Sequence, residues 1–203
     1  MICDGCNYAM YMNEEGPDDL CAFCRRPSPT LDEQIKQLIN LMDNGNAEAL
    51  NQLGTSYDDG TLGLPQDIVK AHKLYLKAGE LGSGTAYYNL GHAYRRGDGV
   101  EVDQKKAKHY YELAAMNGCV EARYNLGVFE WNAINNRRAM KHFMIAAKAG
   151  HEMSVGKVKE GFHRMLLTKD EYEGTLQAYK KSHDEIHNEM RDKALSARMR
   201  LSL

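Results

Sequence analysis

Along residues 31–167 the apolar positions fall in short stripes spaced three or four residues apart, and the stripes themselves recur at regular distances. Aligned on a recurring glycine, the chain reads GNAEALNQLGTSYDDG from Gly45, GSGTAYYNLGHAYRRG from Gly82, GCVEARYNLGVFEWN from Gly118 and a decayed GHEMSVGKVKEGF from Gly150. In the first three, an alanine follows the glycine by four residues (Ala49, Ala86, Ala122), and a Leu-Gly pair follows it by eight and nine (Leu53-Gly54, Leu90-Gly91, Leu126-Gly127). Tyr57 and Tyr94 come three residues later, where Glu130 breaks the pattern. These offsets share one stripe of a 3.6-residue helix, so each segment is predicted to be an amphipathic helix with a narrow face of small residues, helix A.

A second stripe follows each time. KAHKLYLKAGELG, KAKHYYELAAMNG and RAMKHFMIAAKAG place Ala71, Ala107 and Ala139, then Tyr75, Tyr111 and Phe143, then Ala78, Ala114 and Ala146 at i, i+4 and i+7. This is helix B, and the glycine after it (Gly82, Gly118 or Gly150) suits the left-handed residue that ends a helix. Glycine inside helix A costs about 0.5–1 kcal/mol relative to alanine, so its recurrence at Gly54, Gly91 and Gly127 predicts a close crossing where no side chain fits. The A–B links DDGTLGLPQD, RRGDGVEVD and NAINN vary in length as surface turns tolerate.

Helix pairs with a period near 36 residues, contracted in the third unit, have cores too narrow to stand alone and must bury their faces by stacking. The predicted fold class is therefore all-α, a solenoid of stacked helix-turn-helix repeats. Its predicted organisation is a half-repeat over 30–45, repeats over 46–82, 83–118 and 119–150, a degenerate cap over 151–167, and a capping helix with a polar tail over 168–203. The half-repeat starts on a capping box, Thr30 to Glu33, and sets Leu38 and Leu41 in helix-B register; a second capping box, Thr168 to Glu171, opens the final helix.

The pattern Ala-x3-Leu-Gly-x2-Tyr-x2-Gly, followed by Lys-Ala-x3-Tyr-x2-Ala, resembles the Sel1-like repeat, a relative of the tetratricopeptide repeat, and Val100 and Asp103 match that family's inter-helix loop. The resemblance covers roughly residues 31–167 and implies a right-handed solenoid that acts as a protein-binding adaptor. Helix A is then expected to line the inner surface, with Asn51, Tyr88, Asn89, His92, Arg123, Tyr124 and Asn125 as candidate contact residues. The third unit departs most, lacking the loop glycine and the helix-A tyrosine.

Composition narrows the partners. Charged residues make up 27% of the 203, the formal net charge is -2, and no apolar run approaches the roughly 18 residues of a membrane span. Neither a membrane nor the basic field of a nucleic-acid binder is present. No apolar signal region follows Met1, so a reducing, cytoplasmic setting is expected. There, paired CxxC spacings read as zinc ligands rather than disulfides. The lone Cys119 reads as a small buried apolar residue. His183 and His187 in HDEIH share a helical face, but Asp184 stands where a zinc protease needs glutamate, so the segment reads as a solvated charged helix. No P-loop, nucleophile elbow or dinucleotide fingerprint occurs, and no catalytic residue is expected.

The remaining chemical signal is the opening stretch CDGCNYAMYMNEEGPDDLCAFCRRP, with Cys3, Cys6, Cys21 and Cys24 spaced C-x2-C-x14-C-x2-C. Four thiolates can satisfy one tetrahedral zinc, and a segment this short and polar would take its fold from the metal. CAFCRRP also resembles the end of a RING-type zinc finger, with Ala22 in place of the usual proline. That resemblance implies that Arg25 contacts a ubiquitin-conjugating enzyme. It also makes the two CxxC pairs the third and fourth of a cross-brace, which belong to different ions, and the first two pairs are then expected upstream of Met1. Three organisations follow: a scaffold carrying a zinc-binding RING-like remnant; the substrate-selecting part of a RING-type E3 ubiquitin ligase, inactive as this chain alone; or a one-zinc ribbon complete in itself that serves as a small docking module.

Overall fold

The computed structural model describes residues 30–201, with side chains to 186 and at 188. Among the described residues every element is helical: α1 (Leu31–Asp43), α2 (Ala47–Asp59), α3 (Ile68–Glu80), α4 (Gly84–Arg96), α5 (Gln104–Met116), α6 (Val120–Asn132), α7 (Asn136–Lys148), α8 (Glu152–His163) and α9 (Lys169–Leu201). Helices α2, α4, α6 and α8 are the A helices and α3, α5 and α7 the B helices. Each packs on the helix before it and the helix after it, and α9 folds back over α7 and α8, so the molecule is a solenoid with contacts between chain neighbours.

Local chemistry sets the ends of these helices. Asn46, Asp67, Ser83 and Asp103 each accept a backbone N–H of the first turn through their side chains, at 2.9 to 3.2 Å, which satisfies donors the helix leaves unpaired. The expected capping box is formed at Thr30, where Glu33 accepts from the Thr30 N–H at 2.9 Å and Thr30 Oγ1 accepts from the Glu33 N–H at 3.3 Å. The same exchange occurs between Thr168 and Glu171 at 2.9 and 3.2 Å. Gly82, Gly118 and Gly150 lie at φ of 99°, 84° and 94° just past the B helices, the left-handed exit that lets the next A helix start two residues later.

The core is a ladder of small and aromatic residues. Ala71, Ala107, Ala139, Ala78, Ala114 and Ala146 are fully buried, and Tyr75, Tyr111 and Phe143 are at most 2% exposed. The helix-A glycines explain the arrangement. A Cβ on Gly54 or Gly91 would stand 2.8 Å from the ring of Tyr75 or Tyr111, and one on Gly127 would stand 2.5 Å from that of Phe143. The predicted close crossing is thus a glycine against an aromatic ring, repeated once per unit. Between units the same device appears in reverse: Gly79 of α3 leaves room for the ring of Tyr87 on α4, which a Cβ would meet at 2.5 Å.

The third unit keeps this core while altering its edge. Its A–B link is shortened, and Ile134, not a glycine, takes the left-handed place after α6 at φ 63°, with its side chain 82% exposed. In the first two units the helix-A tyrosine is held by a lysine of its own helix B: Lys70 Nζ donates to the Tyr57 hydroxyl at 2.6 Å, and Lys106 Nζ lies 5.0 Å from the centre of the Tyr94 ring. At that position Glu130 turns to the preceding unit instead. Lys108 Nζ of α5 donates to its carboxylate at 2.7 Å and Asn135 Nδ2 at 2.9 Å. Glu130 is 5% exposed, and the Lys108 contact holds its carboxyl below the usual carboxylate range against the opposing effect of burial.

The C-terminal end is closed by α9. The Tyr172 ring stacks on Phe162 with centroids 4.4 Å apart, and Leu176 and Tyr179 pack on the second core cluster, which includes Phe143, Val155 and Val158. Thr175 is fully buried, and its hydroxyl donates to the Glu171 carbonyl at 2.7 Å.

Candidate functional site

The A helices α2, α4 and α6 lie in sequence along one side of the stack, and their polar residues meet across the unit boundaries. Asn89 Nδ2 of α4 donates to Asn51 Oδ1 of α2 at 3.2 Å. Asn51 is only 6% exposed, so its amide is committed to joining the first two units. Asn125 of α6 reaches the Tyr88 hydroxyl of α4, which burial pushes above its ordinary range. The Tyr88 ring lies 5.7 Å from Tyr111 and 6.1 Å from His92. The Arg95 guanidinium donates to His92 Nε2 at 3.2 Å, which requires that nitrogen to be unprotonated.

Above this row lies a cavity of about 200 Å3, lined by Asp58 of α2, by Tyr88, Asn89, His92 and Ala93 of α4, and by Asp98 of the following loop. Three of the sequence candidates, Tyr88, Asn89 and His92, line it directly, and Asn51 and Asn125 support them from either side. Arg123 and Tyr124 are placed elsewhere. The Arg123 guanidinium donates to the Ala115 carbonyl at 3.3 Å, and the Tyr124 ring packs on Phe143 at 5.6 Å and His151 at 4.8 Å. Asp58 and Asp98 were not singled out in the sequence. Asp58 was within reach, since it lies two helical turns from Asn51, whereas Asp98 lies past the end of α4 where no periodicity marks it.

A second cavity, about 260 Å3, lies between α7 and the α8–α9 link and is lined by Met140, Met144, Met165 and Leu166 together with Arg137 and Lys141. Cys119 is 9% exposed at the start of α6, and burial pushes its thiol up to about 11, so at neutral pH it holds its proton and lacks the thiolate character of a reactive cysteine. Among the described residues no three His, Cys, Asp or Glu side chains are grouped to hold a metal ion. Cys3, Cys6, Cys21, Cys24 and Arg25 lie outside the described residues.

Four histidines share one electrostatic condition. Burial lowers His72, which faces Asp58 and Asp98, and His151, which faces Glu121. It also lowers His92, beside Arg95 and Arg96 with Asp98 and Asp58 opposing, and His142, among Arg123, Lys108, Glu130 and Glu112. His151 has a visible reason to stay neutral: its Nδ1 accepts from the Ser154 N–H at 3.3 Å and caps α8. With folded values below the ordinary 6.5, the unfolded chain binds more protons, so this contribution to stability is complete above about 6.5 and is lost as the pH falls below it. The expected result is a melting temperature that declines between pH 7 and 5, with a shallower decline in His151→Asn; a melting temperature that rises over that interval contradicts the burial reading.

Comparison with known proteins places this geometry. The profile of the Sel1 repeat matches residues 47–83, 84–119 and 120–151, more than half of the chain, and each matched unit starts at the first residue of α2, α4 or α6. The chain belongs to the Sel1 repeat family. Sel1 repeat proteins act as protein-interaction scaffolds, and the row of A helices described above is part of a Sel1 solenoid.

A Sel1 repeat protein from Oxalobacter formigenes is similar in structure, with a TM-score of 0.57 and 27% identity over 63% of this chain and 98% of its own. So is c5321, described as a protective antigen present in uropathogenic Escherichia coli strains and displaying an SLR fold. Its TM-score is 0.63 and its identity 28%, over 74% of this chain and 33% of its own. Among curated proteins, the chain is 32% identical over 130 residues to the ERAD-associated E3 ubiquitin-protein ligase component HRD3B of Arabidopsis thaliana, covering 64% of this chain and 20% of that protein. It is also 36% identical over 79 residues to a putative sel1-like repeat-containing protein of Acanthamoeba polyphaga mimivirus, of which it spans 15%. No helix among the described residues is long and apolar enough to cross a membrane.

Proposed function

We propose that this Sel1 repeat chain is an adaptor that holds a partner protein along the face of α2, α4 and α6, with the cavity around Tyr88, Asn89 and His92 as its anchor point. The observation that carries the reading is the cavity itself, built by the A helices of two consecutive units and flanked by two carboxylates, Asp58 and Asp98. A recess of this kind takes one side chain of a docked segment while the neighbouring amides meet its backbone. The charged groups around it set which segments are excluded. Asp98 is exposed and pairs only loosely with Arg96, at 3.8 Å, so Asp98→Arg alters the recess with little cost to the fold. Affinity capture with His92→Ala/Asp98→Arg is expected to lose the partners that the unaltered chain retains, while Lys77→Glu on α3 keeps them. Equal capture by all three proteins sinks the reading.

A second reading rests on the similarity to the ligase component HRD3B and on the opening thiols. In it the solenoid selects substrates for ubiquitin ligation, and Cys3, Cys6, Cys21 and Cys24 hold zinc in a RING-type or ribbon-like segment, with Arg25 toward a conjugating enzyme. The donor set suits the metal in the ribbon-like form, where four thiolates complete one tetrahedral zinc site; in the RING form each CxxC pair supplies half the ligands of a separate ion. A RING ligase contributes no nucleophile, and the chain alone is expected to show no autoubiquitination. Native mass spectrometry is expected to find zinc that is lost in Cys6→Ser/Cys24→Ser; a metal-free wild-type chain removes this reading and leaves the adaptor reading standing.

A further inference from the structure

The recess between α7 and the start of α9 arises where the repeat stops. In the first complete unit the face of helix B around Ile68 and His72 is covered by the next unit's A–B link: a Cβ on Gly99 would run into Ile68 and stand 3.6 Å from His72. Counted from the closing glycine, Met140 of α7 takes the place of His72. The segment beside it is not a glycine-rich link but residues 164–168, which turn the chain into α9. These residues seal only part of the face. Leu167 is buried in the same cluster as Met140 and Phe143, whereas Met165 stands at φ 59° with 92% of its surface exposed. The space left open is about 260 Å3.

The floor and the rim of the recess differ in kind. Met140, Met144 and Leu166 make the floor apolar, and methionine adapts to side chains of different shape. The rim carries Arg137 and Lys141, both exposed and four residues apart on one face of α7. Among the described residues neither takes part in an ion pair. Glu171 faces them, but its carboxylate is already engaged, accepting from the Thr168 N–H at 2.9 Å and the Thr168 hydroxyl at 3.1 Å. Those bonds chiefly, with the two cations adding, hold its carboxyl below the usual range. Asp170 and Glu173 do not line the recess, and Glu173 lies 3.7 Å from Lys169. Two cations without a counter-charge of their own thus stand at the mouth of an apolar recess.

We infer that this recess is a second docking point, specific for an acidic segment of a partner protein: a leucine, isoleucine or methionine side chain of the segment enters between α7 and the α8–α9 link, and an adjoining aspartate or glutamate meets Arg137 and Lys141. The volume suits one side chain rather than a free small molecule, whose sites run to about 300–1,000 Å3. The cations exclude basic segments, the opposite of the selection made by Asp58 and Asp98 at the first cavity. The inference stands whether or not that first cavity is the anchor point of the adaptor.

The test selects phage-displayed random peptides on the full chain and is expected to enrich peptides with Leu, Ile or Met beside Asp or Glu. Synthetic copies, measured by fluorescence anisotropy, are expected to lose affinity about tenfold or more for Arg137→Glu/Lys141→Glu, where like charges then meet, and to bind more weakly as salt is raised. Met165→Gly separates docking from folding. Glycine suits the positive φ at this position, so the melting temperature is expected to hold while affinity falls about threefold with the lost apolar wall. Asp98→Arg, at the first cavity, is expected to leave binding of these peptides unchanged. A selection without acidic peptides, affinity unaltered in Arg137→Glu/Lys141→Glu or in Met165→Gly, or affinity lost only in Asp98→Arg overturns the inference. Binding to phosphatidylserine vesicles with no peptide enriched assigns the recess to a membrane surface and overturns it as well.

Discussion

Gly91→Leu lowers the melting temperature by roughly 10 °C or prevents folding altogether. A single Cβ at this position already stands 2.8 Å from the Tyr111 ring and 3.2 Å from the Ala107 carbonyl, and neither can retreat. Tyr111 is fully buried, and its neighbours Ala107, Ala114 and Ala122 are fully buried as well. Overpacking a well-filled core costs about 1–3 kcal/mol for modest insertions, and each kcal/mol shifts the midpoint by about 2–4 °C for a chain of this size. A four-carbon side chain on the crossing point belongs at the top of that range or above it. Gly156→Ala is the internal control. It too is a helix-A glycine, in α8, but a Cβ there meets nothing within 4 Å, so relief of the glycine entropy cost is expected to stabilise by about 0.5–1 kcal/mol. Equal and small effects of both substitutions in thermal unfolding remove close packing as the reason for the glycines.

The second large effect is expected at the pair that joins the second and third units. Lys108→Met leaves the Glu130 carboxylate with a 6% exposed side chain and only Asn135 as partner. Removing one member of a buried pair costs about 3–5 kcal/mol because the remaining charge stays desolvated. The lower end applies here, since the Lys108 side chain is itself 40% exposed and water can replace part of its contact. Glu130→Gln/Lys108→Met removes both charges and is expected to recover most of the loss, the coupling that a double-mutant cycle measures.

The pH dependence is a further check on the pair. Glu130 titrates below its ordinary range in the folded chain, so the pair's contribution is present above the unfolded carboxyl value and is lost as the pH falls through the folded one. In Lys108→Met this acid-side loss is expected to shrink to what Asn135 and Arg138 still contribute. Denaturant midpoints of the four proteins at pH 7 and pH 4 decide the matter, and additive single effects dismiss the coupling.

How much of this was legible in the sequence depended on whether a feature repeats. The helix-A glycines betrayed a crossing because each carries a local cost that only a close neighbour offsets. Their ring partners, though also repeated, could not be paired with them until the two helices were laid together. Glu130 was visible only as a break in a tyrosine position. Its lysine lies 22 residues back in another unit, and no spacing rule links them. Asn51 was expected on the inner surface because the resemblance puts helix A there, but it is only 6% exposed and its amide accepts from Asn89 of the next unit. The opening thiols were the plainest motif in the chain, and they fall outside the described residues.

Because each unit touches only the units beside it, the length of such a molecule is a free variable in a way that the size of a globular core is not. A unit such as 84–119 carries its own crossing glycine and its own exit glycine, so a stack can change length by whole units wherever each new junction keeps the partners its buried groups need, as Glu130 needs Lys108. The same unit can serve a protein scarcely longer than the repeats themselves, as in Oxalobacter formigenes, or one five times longer than the matched stretch, as in HRD3B. The number of units then sets the reach of the stack, and what holds each unit together is the alanine, glycine and aromatic ring of its crossing.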